Sequence, residues 1–226
     1  MDGFDRMAEA LEEYYAKLTE NRNRHYGCDH GDEPVRWRNP MIRYMLESVP
    51  EDSVVADWFT GDAVVPMAIL FLQKQFPELR KIRRLYTIDN DEDGGYGLIT
   101  RNLEDFGIDT PVTMIGNDCW LTAKEPPFGD DIGVSMLVES VGYIRRGGIE
   151  HRNRGWSDPL PEPDKDFFGR LSAFSPRIEM VQVVHGGYSP SIYVPQLEAV
   201  GYGTTITDLG NIQYKKVEAL SAVKGQ

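Results

Sequence analysis

Residues 53–63, SVVADWFTGDA, decide the fold, because a short apolar run ends there in an acidic turn with one glycine. The run is typical of a strand buried on both faces, and helical spacing follows at Val65, Ile69, Leu72 and Phe76. Gly61 tolerates a positive φ and lets the backbone approach a ligand closely. Ligands of open α/β sheets bind beyond the carboxyl ends of the strands. We therefore predict a binding turn at residues 57–63.

The alternation of strand and helix continues toward the C-terminus. The patterns predict strands at 82–89, 111–117, 132–138 and 177–184, with helices at 95–106 and 190–200. Two further strands, 203–209 and 212–218, flank Gly210-Asn211, which is typical of a hairpin turn. Strands that alternate with helices imply right-handed crossovers and a parallel sheet. We predict an α/β fold with a mostly parallel seven-stranded sheet, closed by an antiparallel β-hairpin.

The N-terminal region differs from this core. Residues 4–18 have the spacing of an amphipathic helix, residues 21–38 lack periodicity and are predicted to form a loop, and a short helix starts at Asn39-Pro40. No linker divides the chain, so we predict a single domain over 1–226. Its predicted parts are a helical lead-in or substrate cap at 1–50, the core at 51–218, and an insertion or lid at 149–176.

Charge and composition narrow the partners and the location. The chain has 36 acidic and 24 basic residues and a formal net charge of −12, which argues against nucleic acid as its partner and favours a small molecule. The sequence shows no apolar run of membrane-spanning length and no secretory signal at its acidic N-terminus. Its two cysteines are far apart, which excludes a disulfide framework. We predict a cytoplasmic protein without membrane contact.

Three acids follow three successive predicted strands, namely Asp57, Asp89 and Asp118. A carboxylate accepts two hydrogen bonds at once, so Asp89 suits the two hydroxyls of a ribose. Asp118 suits the amino group of an adenine. The alternative for each acid is an ordinary polar turn. A G-x-G-x-x-G dinucleotide fingerprint is absent after the first strand.

Together, VVADWFTGDA, YTIDND and IGND resemble the first three motifs of the class I S-adenosylmethionine-dependent methyltransferases, and the resemblance covers roughly residues 39–218. It implies a Rossmann-like three-layer sandwich with S-adenosyl-L-methionine as cofactor. The residues that it assigns to the cofactor are Asp57, Thr60, Gly61, Asp62 and Ala63 at the methionine end, Asp89 and Asn90 at the ribose, and Asp118 and Cys119 at the adenine. Three features depart from the family: Ala63 replaces a glycine, a polar insertion at 149–176 separates Gly147-Gly148 from strand five, and Asn/Asp-Pro-Pro-Tyr does not follow strand four.

The ends of strands four and five are left for the acceptor. His185 is the predicted general base for a hydroxyl acceptor, and Glu139 with Tyr143 is the other candidate. The alternatives are a packing histidine and an acid favoured by a helix N-terminus. Further candidates that could frame an anionic or aromatic acceptor are Arg38, Arg145, Arg146 and Trp156. No metal is predicted, because the His25–His30 segment lacks a second pair at zinc spacing.

These observations favour a methyltransferase that acts on a small or medium acceptor of anionic or aromatic character. Two alternatives stay open at this point. The lead-in and the arginine clusters are compatible with a nucleic-acid methyltransferase, although the net charge and the missing fourth motif oppose it. The departures from the family pattern also leave room for a non-catalytic binding or structural module.

Overall fold

The computed structural model describes residues 3–27, 38–89, 91, 94–116, 128–140, 165–184, 189–212 and 215–225. The helices are α1 (Gly3–Tyr26), α2 (Asn39–Ser48), α3 (Val64–Gln75), α4 (Gly95–Phe106), α5 (Lys165–Ser172) and α6 (Val194–Ala199), with a 3₁₀ turn at Pro190–Tyr193. The strands are β1 (Ser53–Trp58), β2 (Ile82–Asp89), β3 (Val112–Gly116), β4 (Val134–Val138), β5 (Arg177–Val183), β6 (Tyr202–Ile212) and β7 (Lys215–Lys224).

The strands form one seven-stranded sheet in the order β3-β2-β1-β4-β5-β7-β6. The pairs from β3 to β5 are parallel, whereas β7 runs antiparallel to both β5 and β6. The predicted fold, a mostly parallel sheet closed by an antiparallel hairpin, is confirmed.

Alternate residues of the strands point into two hydrophobic clusters, one on each face of the sheet. On β1, Val55 belongs to the first cluster, which contains buried residues of α1, α2, α3 and α4. Val54, Ala56 and Trp58 belong to the second cluster, with residues of α5 and α6. Because both faces of β1 are covered, its six residues are all buried, as its continuous apolar pattern predicts. None of the helices described is long and apolar enough to cross a membrane.

The prediction of a loop from residue 21 is wrong for residues 21–26, which extend α1. Contacts with distant residues stabilise this extension. The buried Asn21 donates a hydrogen bond from Nδ2 to Oδ1 of the buried Asn102 over 2.9 Å, and Arg22 forms an ion pair with Asp62. Contacts with distant residues leave no helical periodicity in the local sequence. The amphipathic pattern therefore ends at residue 18, whereas the helix continues to Tyr26.

The hairpin turn predicted at Gly210-Asn211 is also wrong, because β6 continues to Ile212. The pairing of β6 with β7 shifts register between Asp208 and Asn211, which is a β-bulge. Gly210 has a φ of 92°, and its N–H donates to Oδ1 of Asp208 over 2.8 Å. The glycine therefore serves the bulge rather than a turn.

Candidate functional site

The candidate site lies at the carboxyl edge of the sheet, where the chain order reverses between β1 and β4. These two strands are neighbours, and Asp57 of β1 is in register with Met136 of β4. The turn after β1 and Glu139, which follows β4, are therefore next to the topological switch point. Open α/β sheets bind their ligands at this position.

The turn after β1 is joined to the end of β2 by backbone hydrogen bonds. The N–H groups of Phe59 and Thr60 donate to the carbonyl of Ile88 over 2.8 and 3.3 Å. The N–H of Gly61 donates to Oδ2 of Asp89 over 2.8 Å, and the N–H of Asp91 donates to Oδ1 of the same carboxylate over 3.2 Å. The structure thus brings Gly61 and Asp89 together and fixes the orientation of the carboxylate.

Two glycines shape the space around this turn. A Cβ atom built on Gly95 would lie 2.4 Å from the carbonyl oxygen of Gly61, so the N-terminus of α4 touches the turn directly. A Cβ atom built on Gly61 would meet no atom of the described residues within 4 Å. The turn is therefore supported from one side by backbone and open on the side of its own missing side chain.

Asp57, at the end of β1, is only 2% exposed. Burial raises the pKa of its carboxyl group to about 7; a hydrogen bond from Thr60 Oγ1 opposes this rise, and the negative charge of Asp89 adds to it. A cation placed beside Asp57 would favour its ionised form. The predicted Asp57 and Thr60 are therefore in direct contact, in an environment that suits a positively charged group.

Asp62 already has a cationic partner. Its Oδ2 lies 3.0 Å from Nε of Arg22, and both side chains are largely covered. We expected Asp62 to face the positive end of the cofactor, whereas the structure shows its charge offset by α1. The pair joins the lead-in to the first residues of the turn.

Glu139 and Arg38, predicted as a base and as an acceptor residue, form an ion pair. Arg38 lies at the N-terminus of α2, and its Nη2 is 3.0 Å from Oε2 of Glu139. The exposed fractions of the two side chains are 18% and 24%. The structure thus brings the lead-in over the end of β4, where the acceptor is predicted to bind.

Left-handed backbone conformations concentrate at this edge. Positive φ angles follow the ends of β1, β2 and β4 at Phe59, Gly61, Ala63, Asp91, Gly94 and Glu139. Non-glycine residues adopt such angles at a cost of about 1–2 kcal/mol each. Ala63 has a φ of 52°, which gives a physical reason for the glycine that the family carries there.

Tyr96, in the first turn of α4, is a polar residue at this edge that the sequence patterns did not single out. Its hydroxyl is 2.5 Å from the carbonyl oxygen of Ile115 and accepts the N–H of Asp89 over 2.8 Å. The only signal in the sequence is a tyrosine in the glycine-rich stretch 94–97.

Several predicted residues lie outside the described residues, so their placement is not tested. They are Asn90, Asp118, Cys119, Tyr143, Arg145, Arg146, Trp156 and His185. Most of the predicted insertion at 149–176 also falls outside, although its last part contains α5. Within the described ranges, no group of three or more His, Cys, Asp or Glu side chains could hold a metal ion.

This sheet order, with its closing hairpin and its glycine turn beside the acid of β2, is the fold of the class I S-adenosylmethionine-dependent methyltransferases. Precorrin-6y C5,15-methyltransferase from Geobacter metallireducens is similar at a TM-score of 0.54 and 17% identity, over 81% of this chain and 87% of that chain. A putative tRNA (m1A22) methyltransferase of Streptococcus pneumoniae, in complex with S-adenosyl-L-methionine, has a TM-score of 0.53 at 15% identity, over 82% and 72%. An rRNA methylase from Streptococcus thermophilus has a TM-score of 0.51 at 14% identity, over 82% and 95%.

No protein-family model and no curated protein matches the chain. The family resemblance drawn from the three motifs is confirmed at the level of the fold.

The comparisons correct one prediction. We expected a small-molecule partner and argued against nucleic acid from the net charge. That prediction is wrong, because solved structures of similar fold include a putative tRNA methyltransferase and an rRNA methylase, so a nucleic-acid substrate is plausible.

Proposed function

We propose that this chain binds S-adenosyl-L-methionine at the carboxyl edge of β1, β2 and β3. We further propose that it transfers the methyl group to an acceptor held over the ends of β4 and β5. The observation that carries the proposal is the 2.8 Å hydrogen bond from the Gly61 N–H to the Asp89 carboxylate. It joins an open glycine turn to the acid of the neighbouring strand, within the fold of enzymes that use this cofactor.

The residues present fit the cofactor. In the part of the chain that the structure describes, a Cβ atom added to Gly61 would have no neighbour within 4 Å, so the backbone there can contact a ligand. Asp89 is held by two N–H groups, and a carboxylate has lone pairs left for ribose hydroxyls. Asp57 is a buried acid that gains by facing a cation, and the cofactor carries an ammonium and a sulfonium.

The chain's own residues have mainly to bind and align. S-adenosyl-L-methionine supplies, when bound, a methyl group that is already activated on its sulfonium. Alignment of the two reactants then accounts for much of the rate. We propose that Glu139 and Arg38 contact the acceptor, because their ion pair lies beside the switch point. The general base stays a proposal for either His185 or Glu139.

The acceptor is a separate question, for which the ion pair suggests a chemical rule. An acceptor that brings an anionic group can compete with Glu139 for Arg38 and leave the carboxylate to accept a hydrogen bond. Both a phosphate-bearing RNA and a carboxylated small molecule meet this rule. The proteins of similar fold include a precorrin methyltransferase and a putative tRNA methyltransferase, so the fold is compatible with either kind of acceptor.

The first experiment is a calorimetric titration with S-adenosylhomocysteine. The wild type should bind, and Asp89→Ala should weaken binding by about 1.5–3 kcal/mol because hydrogen bonds to a charged group are lost. Asp109→Ala, in the loop after α4, is the control and should bind as the wild type does. No binding by the folded wild type would refute the proposal.

A second experiment separates an enzyme from a binding module of the same fold. Methyl-labelled cofactor is incubated with the protein and either total RNA or a small-molecule extract. Label in either fraction that requires intact Glu139 or His185 supports turnover and identifies the acceptor class. Tight binding of S-adenosylhomocysteine without transfer to any fraction would favour the module.

A further inference from the structure

Tyr96 reaches the ends of two neighbouring strands with one hydroxyl group. Its oxygen accepts the N–H of Asp89 over 2.8 Å and lies 2.5 Å from the carbonyl oxygen of Ile115. The carbonyl oxygens of Asp89 and Thr87 are farther away, at 3.0 and 3.4 Å. A phenol has one proton to donate, and the shortest distance assigns it to Ile115.

The backbone of Tyr96 is held as well. Its N–H donates to Oδ1 of Asp91 over 2.8 Å, and the N–H of Asp91 in turn donates to Oδ1 of Asp89. Burial raises the pKa of the phenol above its ordinary value, and the charges of Asp89 and Asp91 raise it further, against hydrogen bonds that lower it. The hydroxyl therefore keeps its proton at neutral pH and remains a donor.

These bonds connect two segments that the cofactor would need in fixed positions. Asp89 is the predicted ribose acid, and Ile115 lies three residues before Asp118, the predicted adenine contact. Ile115 and Ile88 are already in register on β3 and β2. The pairing of the two strands ends one residue farther, at Asp89 and Gly116, and the phenol adds a side-chain link at that end.

We propose that Tyr96 is a positioning residue that fixes the end of β2, with the predicted ribose acid Asp89, against the end of β3. The inference rests on the proposed function for its ligand, but the hydrogen bonds that carry it do not. Because the hydroxyl fixes the backbone of Asp89, it should keep the Asp89 carboxylate where the ribose hydroxyls can reach it. The site should therefore be selective for a ligand that carries an intact ribose.

Tyr96→Phe tests the proposal, with Tyr202→Phe as the matched control. Tyr202 is buried whereas Tyr96 is half-buried, and the Tyr202 hydroxyl donates to the carbonyl of Ser175 over 2.5 Å, at the opposite edge of the sheet. The probes are S-adenosylhomocysteine and its 2′-deoxy analogue, titrated by calorimetry. Tyr96→Phe should raise the Kd of S-adenosylhomocysteine about tenfold and reduce the preference for the ribose form several-fold. Tyr202→Phe should change neither.

The outcomes are distinguishable. If the wild type fails to bind, the proposed function fails; if Tyr96→Phe binds both probes as the wild type does, the positioning role fails. Should Tyr96→Phe not fold, amide hydrogen exchange of the unmodified protein decides. The N–H of Asp89 should be protected without ligand because the phenol accepts it, and rapid exchange at that amide would overturn the inference.

Discussion

Asp57 shows how a single buried carboxyl group couples the site to pH. Its pKa in the folded protein is about 7, against 3.8 for the unperturbed group, so the folded state holds the proton more tightly. Protonated Asp57 therefore contributes to the free energy of unfolding. This contribution is fully present below pH 4, and the free energy of unfolding falls by roughly 4 kcal/mol as the pH rises toward 7.

We therefore expect Asp57→Asn to raise the melting temperature at pH 8 and to leave it nearly unchanged at pH 4. The asparagine keeps an oxygen for Thr60 and removes the buried charge. Thermal unfolding at several pH values measures the difference from the wild type. Asp52→Asn, at an exposed acid before β1, is the control, and an equal gain there would contradict the explanation.

Ala63 tests the cost of a left-handed backbone, because its φ is 52°. Ala63→Gly should stabilise the protein by about 1 kcal/mol, since the strain that it relieves in the folded state is larger than the conformational entropy that it adds to the unfolded chain. Ala68→Gly, in the interior of α3, should destabilise it by a similar amount or more. Urea unfolding of both variants gives the comparison, and a loss at both positions would refute the argument.

At the scale of elements, the strands and helices of the core follow from local patterns. The sequence predicts β2 at 82–89 and α4 at 95–106, and the structure has the same bounds. The errors occur where distant contacts decide. The end of α1 depends on Asn102 and Asp62, and Gly210 forms a bulge although Gly-Asn is typical of a turn.

The candidate site divides in the same way. Gly61 and Asp89 could be predicted because each follows a strand, and strand ends meet at one edge of a parallel sheet. Tyr96 could not, because its role depends on a hydroxyl that reaches two strands from the first turn of a helix. The ion pairs of Arg22 and Arg38 could not be predicted either, because the path of the lead-in across the edge follows from its packing.

One contact between the lead-in and the core is made by a buried carboxylate. Glu179 of β5 is fully buried and accepts hydrogen bonds from Tyr44 of α2 over 2.6 Å, Ser221 over 2.9 Å and Arg177 over 2.5 Å. Tyr44→Phe should therefore destabilise the protein by about 1.5–3 kcal/mol.

Tyr86→Phe is the matched control for Tyr44→Phe, because Tyr86 donates to Asp130, whose side chain is 34% exposed. Water can replace that bond, so the expected loss is below about 1 kcal/mol. Urea unfolding measures both variants. Equal decreases in the free energy of unfolding would show that burial of the accepting carboxylate does not determine the cost of losing the hydrogen bond.

For the whole molecule, the two hydrophobic clusters share one sheet, so neither can be lost alone without exposing the other. We expect one unfolding transition for the described core. Leu197→Ala, in the second cluster, should lower stability by about 2–5 kcal/mol. Fluorescence and far-ultraviolet circular dichroism should still report the same midpoint, whereas separate midpoints would indicate two units.

The whole-molecule charge explains the error about nucleic acid. A net charge of −12 averages over the entire surface, whereas phosphate groups are contacted by one face. Arg22 and Arg38 both reach the carboxyl edge, where they pair with Asp62 and Glu139. The net charge of the whole chain therefore says little about whether the carboxyl edge of the sheet can bind a nucleic acid.

The contact between Gly95 and the carbonyl of Gly61 has a consequence for inheritance. A codon change that adds a side chain at position 95 would place its Cβ atom 2.4 Å from the carbonyl oxygen of Gly61. Such a variant should fail to fold, so the cell would contain little of the protein. A side chain at position 61 would meet no described atom within 4 Å, so the cost to the fold is only the roughly 1–2 kcal/mol of a left-handed backbone, and the main effect is to block the proposed ligand. Two glycines that touch in the folded chain would thus give opposite phenotypes, one read in abundance and the other in activity.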